Sequence, residues 1–146
     1  MATISCTALI PLGVEEVWSV LARFGDISEW GTGVSQSNLL TEASSGPGAT
    51  RRVQVGRNAL RETVTQWQPP CVLGYSITGL PPVVRQASNT WVLSGEGKGT
   101  RVTLTSVVAT KGGPLVSRLV ARKLGKAGKQ LVGGLEGHLA GTRASS

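Results

Sequence analysis

The chain has 146 residues, 40% of them apolar and 16% charged, and its formal net charge is +7. This composition argues against intrinsic disorder, because few charges and many apolar residues favour a packed core. A chain of this length buries most of the apolar surface that its unfolded form exposes. We therefore expect one folded domain that spans residues 1–146.

The positive charge is concentrated in the last quarter of the chain. Residues 111–146 contain one acidic side chain, Glu136, against seven basic ones. These are Lys111, Arg118, Arg122, Lys123, Lys126, Lys129 and Arg143. A solvated helix face is the commoner origin of such a stripe, and an anionic membrane surface or an acidic protein is the alternative. Nucleic acid is not supported, because no regular aromatic spacing or familiar binding motif accompanies the basic residues.

The cysteines and the first residues bear on where the protein is found. Cys6 and Cys71 match no metal or redox spacing, so reduced cysteines in the cytoplasm are the simplest interpretation, with a disulfide left open. Residues 1–9 lack the basic start of a signal peptide. No apolar stretch has the length of a membrane span. We expect a cytoplasmic protein.

The first elements are one strand and two short helices. Residues 2–10 alternate between apolar and polar side chains, which predicts a strand. The next apolar residues recur at helical spacing and predict an amphipathic helix: Val14, Val17, Trp18 and Leu21. We expect Gly25 to end this helix. Asp26 and Glu29 have the spacing of a capping box, which predicts a second short helix ending near Trp30.

Six further strands are predicted before the C-terminal segment. They cover residues 35–42, 50–55, 58–67, 72–78, 85–93 and 101–109. Gly56 and Arg57, between the second and third of these strands, suit a two-residue hairpin turn of the II′ type. In that register Arg51 lies directly opposite Glu62, so the two charges share one face of the sheet.

The segment from Gly113 to Gly141 is the only long stretch with helical periodicity. Its predicted apolar face consists of Val116, Val120, Leu124, Ala127, Leu131 and Leu135. Its predicted basic face consists of Arg118, Arg122, Lys126 and Lys129. We predict one continuous helix although several glycines weaken it, and we expect Gly134 to face inward and widen a pocket.

The predicted order is a strand, two short helices, six strands and a long helix. Antiparallel strands with helices kept to one side form an α+β fold. We predict a curved antiparallel sheet of about seven strands that wraps around the C-terminal helix. A concave space between such a sheet and a helix is the default site for a small molecule.

Five short segments of the chain carry a family resemblance. They are V-E-E-V-W at 14–18, Trp30, R-E-T-V at 61–64, L-G-Y-S-I at 73–77 and N-T-W-V-L at 89–93. Together they resemble the polyketide cyclase/dehydrase branch of the START and Bet v 1-like superfamily. The resemblance implies a helix-grip fold whose pocket lies between the sheet and the long helix. It also implies either lipid or hormone binding or aromatase/cyclase activity.

The resemblance and the predicted inner faces together give a candidate ligand site. Its expected residues are Trp30, Arg51, Leu60, Glu62, Val64, Tyr75, Ile77, Ala87, Asn89, Trp91, Leu124, Ala127 and Leu131. By resemblance, Glu62 matches a pocket-facing glutamate of the family. Ala87 stands where many relatives have tyrosine, which removes a hydrogen-bonding group.

Glu62 is the sharpest candidate within this set, because a carboxylate on a concave apolar face must be paired, hydrated or protonated. It serves ligand recognition or acid/base chemistry, or Arg51 neutralises it as part of the scaffold, and the sequence leaves both open. Trp30, Tyr75 and Trp91 either stack on a flat ligand or belong to the core.

Three functions are compatible with these patterns. The first is a non-enzymatic carrier of a hydrophobic ligand that is lipid-like, aromatic or polyketide-like. The second is a polyketide aromatase/cyclase in which Glu62 or Tyr75 moves protons. The third is an interaction module that uses the basic helix face. We expect no metal, because nothing near His138 supplies a second ligand. We expect no cofactor, because Gly95, Gly97 and Gly99 lack the following helix that a phosphate-binding loop needs. The oligomeric state, monomer or homodimer, stays open.

Overall fold

The computed structural model describes the backbone of residues 2–144 and the side chains of residues 2–141. In this part of the chain the strands are β1 Ala2–Ile10, β2 Val34–Leu39, β3 Thr50–Val55, β4 Asn58–Gln68, β5 Val72–Thr78, β6 Val84–Glu96 and β7 Gly99–Thr110. The helices are α1 Val14–Ala22, a 3-10 helix Phe24–Glu29 and α2 Gly113–Ala144. The predicted order of elements is confirmed. The side chain of Arg143, counted above among the basic residues, lies outside the described residues.

All seven strands form one antiparallel sheet in the order β1-β7-β6-β5-β4-β3-β2. Consecutive strands pair from β2 to β7, and β1 closes the series by pairing with β7. The sheet curves around α2, which lies mainly against β1 and β7. The predicted α+β helix-grip arrangement is therefore confirmed.

The hairpin between β3 and β4 has the predicted turn and register. Gly56 has φ +58°, and no described residue other than glycine has a positive φ, which fits a II′ turn with Arg57 second. Arg51 is the cross-strand partner of Glu62, as expected from the turn length. A two-residue turn therefore places these two charges side by side.

The predicted capping box is wrong. The 3-10 helix begins at Phe24, so Asp26 lies inside it, and no side chain caps its start. Asp26 instead accepts a hydrogen bond from Arg23 Nε at 3.1 Å. Gly25 also lies within this helix and does not end α1 with a positive φ. A Cβ atom on Gly25 would lie 2.7 Å from Leu39 Cγ, so the position needs glycine because of β2 packing.

Helix α2 is continuous over 32 residues, as predicted, but its buried face differs from the predicted one. Ala127, predicted to face inward, is exposed, and Leu124 and Leu131 are half-buried. The buried positions are Gly128, Val132, Leu135 and Leu139. A Cβ atom on Gly128 would lie 3.7 Å from Cys6 Sγ, so this glycine brings the helix close to β1. The helix is rotated towards its glycines because they permit the closest approach to the sheet.

Gly134 does not widen a pocket, contrary to expectation. A Cβ atom there would fall on the carbonyl oxygen of Trp30 and 2.8 Å from Thr32 Oγ1. The backbone of α2 therefore packs directly against the segment that follows the 3-10 helix. By contrast, a Cβ atom on Gly133 would meet no atom within 4 Å.

These two neighbouring glycines give a matched test of the packing of α2. Gly134→Ala should lower the free energy of unfolding by about 1–3 kcal/mol, because backbone atoms must move apart. Gly133→Ala should raise it by up to about 1 kcal/mol, because alanine favours an exposed helix interior. Urea unfolding followed by tryptophan fluorescence measures both. Equal effects of the two substitutions would contradict the close contact at Gly134.

Candidate functional site

The interior of the sheet contains a buried ion pair between β3 and β4. Arg51 Nη2 lies 2.7 Å from Glu62 Oε1, and Arg51 Nε donates a 2.8 Å hydrogen bond to the same oxygen. The side chains are 3% and 7% exposed, so both charges are largely removed from water. The cross-strand register positions both groups, and each neutralises the other in a low-dielectric setting.

The guanidinium group of Arg51 also binds the 3-10 helix. Its Nη1 atom donates a 2.8 Å hydrogen bond to the carbonyl oxygen of Phe24. Its central carbon lies 3.9 Å from the centroid of the Phe24 ring and 4.7 Å from that of Tyr75. A cation between two aromatic faces is stabilised by both rings. Arg51 thus joins the sheet, the 3-10 helix and the aromatic interior.

A second polar group lies on β5, β6 and β7. The hydroxyl oxygen of Tyr75 accepts hydrogen bonds from Asn89 Nδ2 at 3.4 Å and from Trp91 Nε1 at 3.2 Å. Asn89 Oδ1 accepts a 2.6 Å hydrogen bond from Ser106 Oγ. Three of the predicted site residues are therefore held in one buried chain of hydrogen bonds, with Ser106 fixing the orientation of the amide.

Tyr75 is a neutral hydroxyl in this setting. Burial raises the pKa of Tyr75 above the ordinary tyrosine value, and the negative charge of Glu62 raises it further. Arg51 and the hydrogen bonds from Asn89 and Trp91 act in the opposite direction. Because the direction is upward, the group stays protonated at neutral pH and offers an O–H donor, not a phenolate base.

The aromatic residues of the interior meet edge to face. Trp30 and Trp91 have ring centroids 5.8 Å apart, and Phe24 and Tyr75 have centroids 5.7 Å apart. Trp30 Nε1 is buried and has no hydrogen-bond partner among the described residues. A buried donor of this kind is rare in folded proteins and calls for an acceptor. This donor belongs to Trp30, which is one of the predicted site residues.

The structure brings most of the predicted site residues together. Nine of them are buried in the interior: Trp30, Arg51, Leu60, Glu62, Val64, Tyr75, Ala87, Asn89 and Trp91. Ile77, Leu124 and Leu131 are half-buried, and Ala127 is exposed and does not line the interior. Tyr75 and Trp91 are each 1% exposed, so their side chains pack against other side chains, not against open space.

Two contributors were not predicted, Phe24 and Ser106. Ser106 had a sequence signal, because it alternates with Val102 and Leu104 on the inner face of β7 and lies opposite Asn89 in the register. Phe24 contributes through its backbone carbonyl and through its ring. No residue pattern in the sequence predicts a backbone contact of this kind.

An open cleft of about 280 Å³ lies at one end of the sheet. It includes Ile77 and Ala87, the last cross-strand pair before β5 and β6 separate. Its other lining residues are Ser76, Thr78, Arg85, Gln86, Ser88, Val107 and Ala109. The cleft therefore reaches two of the predicted ligand residues from the outside.

Three further observations concern metals, cysteines and membranes. Within residues 2–144, no group of three His, Cys, Asp or Glu side chains is placed to hold a metal ion. Cys6 is half-buried and Cys71 is exposed, and both are free thiols. None of the described helices combines the length and the apolar character needed to cross a membrane.

Comparison with known families identifies the chain. The family model described as polyketide cyclase / dehydrase and lipid transport matches residues 1–140. The chain belongs to this family. The predicted resemblance to the polyketide cyclase branch of the START and Bet v 1-like superfamily is thereby confirmed. A search of curated proteins found no match.

Several solved structures are similar to this member of the family. The protein XoxI from Bacillus cereus matches with a TM-score of 0.80 and 16% identity, over 94% of this chain and 95% of its own. The Zhui aromatase/cyclase from Streptomyces sp. R1128 matches with a TM-score of 0.78 and 17% identity, over 94% of this chain and 92% of its own. A START superfamily protein from Mycobacterium smegmatis matches with a TM-score of 0.75 and 15% identity, over 96% of this chain and 98% of its own. At these identities the likeness shows the helix-grip fold alone.

The buried ion pair gives a testable prediction. Arg51→Met should lower the free energy of unfolding by about 3–5 kcal/mol, because Glu62 is left as an unpaired buried charge. The double variant Arg51→Met, Glu62→Met should recover most of this loss, since no buried charge remains. Urea unfolding at neutral pH measures all three proteins. A double variant less stable than Arg51→Met would contradict the assignment.

The raised pKa of Tyr75 predicts loss of stability at alkaline pH. In the unfolded chain this group loses its proton near about pH 10, whereas the folded protein retains it to higher pH. The unfolded state then binds fewer protons, so the free energy of unfolding falls as pH rises above that value.

The chain has one tyrosine, so the change in ultraviolet absorbance that accompanies tyrosinate formation reports Tyr75 alone, whereas the four tryptophans do not ionise. Ionisation should coincide with alkaline unfolding followed by circular dichroism, and Tyr75→Phe should abolish the absorbance change. Ionisation of Tyr75 near its ordinary pKa in a protein that is still folded would overturn the buried placement.

Proposed function

We propose that this chain is a small-molecule binding or carrier protein that holds a hydrophobic ligand between the sheet and α2. The observation that carries the proposal is Trp30 Nε1, a buried donor with no partner in the part of the chain that the structure describes, beside Trp91 in an aromatic interior. Family membership supports the same role. The ligand that suits this setting is lipid-like, aromatic or polyketide-like.

The residues of the interior define the chemistry of the ligand. Arg51 and Glu62 already pair with each other, so a charged ligand would compete with an existing ion pair. Tyr75 and Asn89 are neutral and hydrogen-bonded. Trp30 Nε1 has no acceptor among the described residues, and Tyr75 offers an O–H donor. The matching ligand therefore carries an uncharged acceptor such as a carbonyl oxygen next to an apolar or aromatic body.

Uptake of a ligand requires movement of side chains or of α2, because the interior residues have almost no accessible surface. Tyr75, Trp91 and Leu135 are each 1% exposed or less. We propose the open cleft at Ile77 and Ala87 as the entry route, because these two predicted ligand residues border it. Binding that opens the interior in this way selects or induces a second conformation.

The alternative function is a polyketide aromatase/cyclase, in which the interior holds a reactive chain in a folded geometry. Glu62 and Tyr75 are the groups for proton transfer. The geometry favours the carrier role over this alternative. Glu62 Oε1 already accepts from Arg51, and the upward pKa shift of Tyr75 opposes proton loss.

The proposal also covers the domain organisation, the location, the surface partner and the oligomeric state of the protein. The chain acts as one binding domain, in the cytoplasm. The basic outer face of α2 docks on an acidic partner, either an anionic membrane or an acidic protein, and this second role is favoured by exposed cations along that face. Monomer and homodimer are both compatible with the proposal.

Binding tests use fatty acids, quinones and aromatic polyketide-like chains as probes, with native mass spectrometry and thermal shift as readouts. Trp30→Phe should weaken the best probe by about three- to tenfold, because one hydrogen bond is lost while the ring is kept. The matched control is Trp67→Phe, since Trp67 is half-buried and its ring packs against Trp18, whereas the Trp30 ring packs against Trp91.

Two outcomes would contradict the carrier proposal. The first is that no probe in the panel binds the purified protein. The second is that a bound polyketide-like probe is released as a cyclised product, which would favour the aromatase/cyclase alternative. Equal weakening by Trp30→Phe and Trp67→Phe would remove the assigned role of the Trp30 donor.

A further inference from the structure

Three turns of the chain lie together at one end of the molecule. The β3–β4 turn and the β5–β6 turn are at the same end of the sheet, because Arg61 pairs with Thr78. The start of α2 joins them, since Lys111 N donates a 2.8 Å hydrogen bond to Val83 O. The first half of α2 therefore begins beside the β5–β6 turn.

Exposed cations are concentrated at this end and along the first half of α2. They are Arg57, Arg61, Arg85, Lys111, Arg118, Arg122, Lys123 and Lys126. The ion pairs in the described part of the chain are made by Arg23, Arg51 and Arg101, so these eight have no ion pair with an acidic side chain there. The cations at this end are available to an anionic surface.

The acidic residues lie elsewhere. Glu62 is buried in its ion pair. The others are in α1, in the 3-10 helix, in the β2–β3 loop, at the β6–β7 turn and in the last third of α2: Glu15, Glu16, Asp26, Glu29, Glu42, Glu96 and Glu136. The β2–β3 loop and the β6–β7 turn are at the end of the sheet opposite the cations. The charge of the molecule is therefore segregated along its length.

Two large apolar side chains project from the same cationic region. Leu115 is 70% exposed and Leu119 is 55% exposed. They are four residues apart on α2, so they share one helix face, and Arg118 and Arg122 lie on that face beside them. Pro81 and Pro82 of the neighbouring β5–β6 turn are also exposed. Leu115, Leu119, Arg118 and Arg122 are named the docking face below.

We propose that the docking face binds an anionic lipid bilayer. The cations contact the phosphate and carboxylate headgroups, and the two leucines enter the apolar layer beneath them. An acidic protein surface would satisfy the cations but leave both leucines against polar groups. A bilayer offers negative charge and apolar depth at the same place, which matches the arrangement on α2. The proposal rests on the docking role proposed above and commits it to a membrane.

The test uses vesicles of phosphatidylserine mixed with phosphatidylcholine, compared with vesicles of phosphatidylcholine alone, in a flotation assay. The full chain should bind the anionic vesicles, and added salt should weaken binding because the cations are exposed. Leu119→Gln should weaken binding by about five- to tenfold through lost apolar insertion. Arg122→Gln should weaken it by about fivefold through one lost cation.

The chain offers matched controls at the other end of the molecule. Leu9 is 54% exposed, almost the same as Leu119, and lies near the end of β1 opposite the docking face. Lys98 is exposed at the β6–β7 turn. Leu9→Gln and Lys98→Gln should leave vesicle binding unchanged. Circular dichroism verifies that each variant is folded, and glutamine at the two α2 positions preserves helix propensity.

Three results would overturn the proposal. The first is equal binding, or no binding, to the two kinds of vesicle. The second is equal weakening by the docking-face variants and their controls. The third is binding to immobilised polyglutamate without binding to vesicles, which would identify an acidic protein as the partner. Small-molecule binding of the same variants without vesicles separates this outcome from failure of the carrier proposal, because the docking face does not line the interior.

Discussion

The buried pair of Arg51 and Glu62 is the interaction on which the interior of this protein depends. Removing two charges from water costs several kcal/mol per ion, and attraction between them offsets this only when the remaining groups are also bound. Here the carbonyl oxygen of Phe24 accepts from the guanidinium group, and the rings of Phe24 and Tyr75 lie on it. The pair therefore fixes the 3-10 helix on the sheet, and specificity of packing is a better account of it than net stability.

The same pair determines which chemistry the site favours. Glu62 Oε1 accepts from Arg51, and the negative charge of Glu62 helps burial to raise the pKa of Tyr75, so Tyr75 keeps its proton at neutral pH. What the interior offers is aromatic surface, a neutral chain of hydrogen bonds and the unmatched donor of Trp30. A neutral, mainly apolar ligand with one acceptor fits these groups better than an ion does. These groups are the basis of the binding role proposed above.

Sequence reasoning predicted the sheet well because its signals are local. Alternation marked the strands, and the pair Gly56–Arg57 set the register that joins Arg51 to Glu62. The buried face of α2 was predicted less well, because it was predicted from the spacing of apolar side chains, and glycine has no side chain that contributes to this pattern. At Gly128 and Gly134 the glycine is itself the contact, so the helix turns away from Ala127. The unpartnered donor of Trp30 is likewise a property of three-dimensional packing that no spacing in the sequence encodes.

Helix α2 connects the two proposed roles, because one element covers the interior and carries the docking face. Its inner side approaches the sheet through glycines, and it has further glycines on the exposed side, such as Gly133 and Gly137, that weaken the helix without any compensating contact. A helix of low intrinsic stability that is held by packing shifts at a lower cost than one with a strong helical sequence. If a bilayer binds α2 more tightly in a shifted position, then ligand uptake and membrane docking favour each other, since coupling between two binding sites is reciprocal.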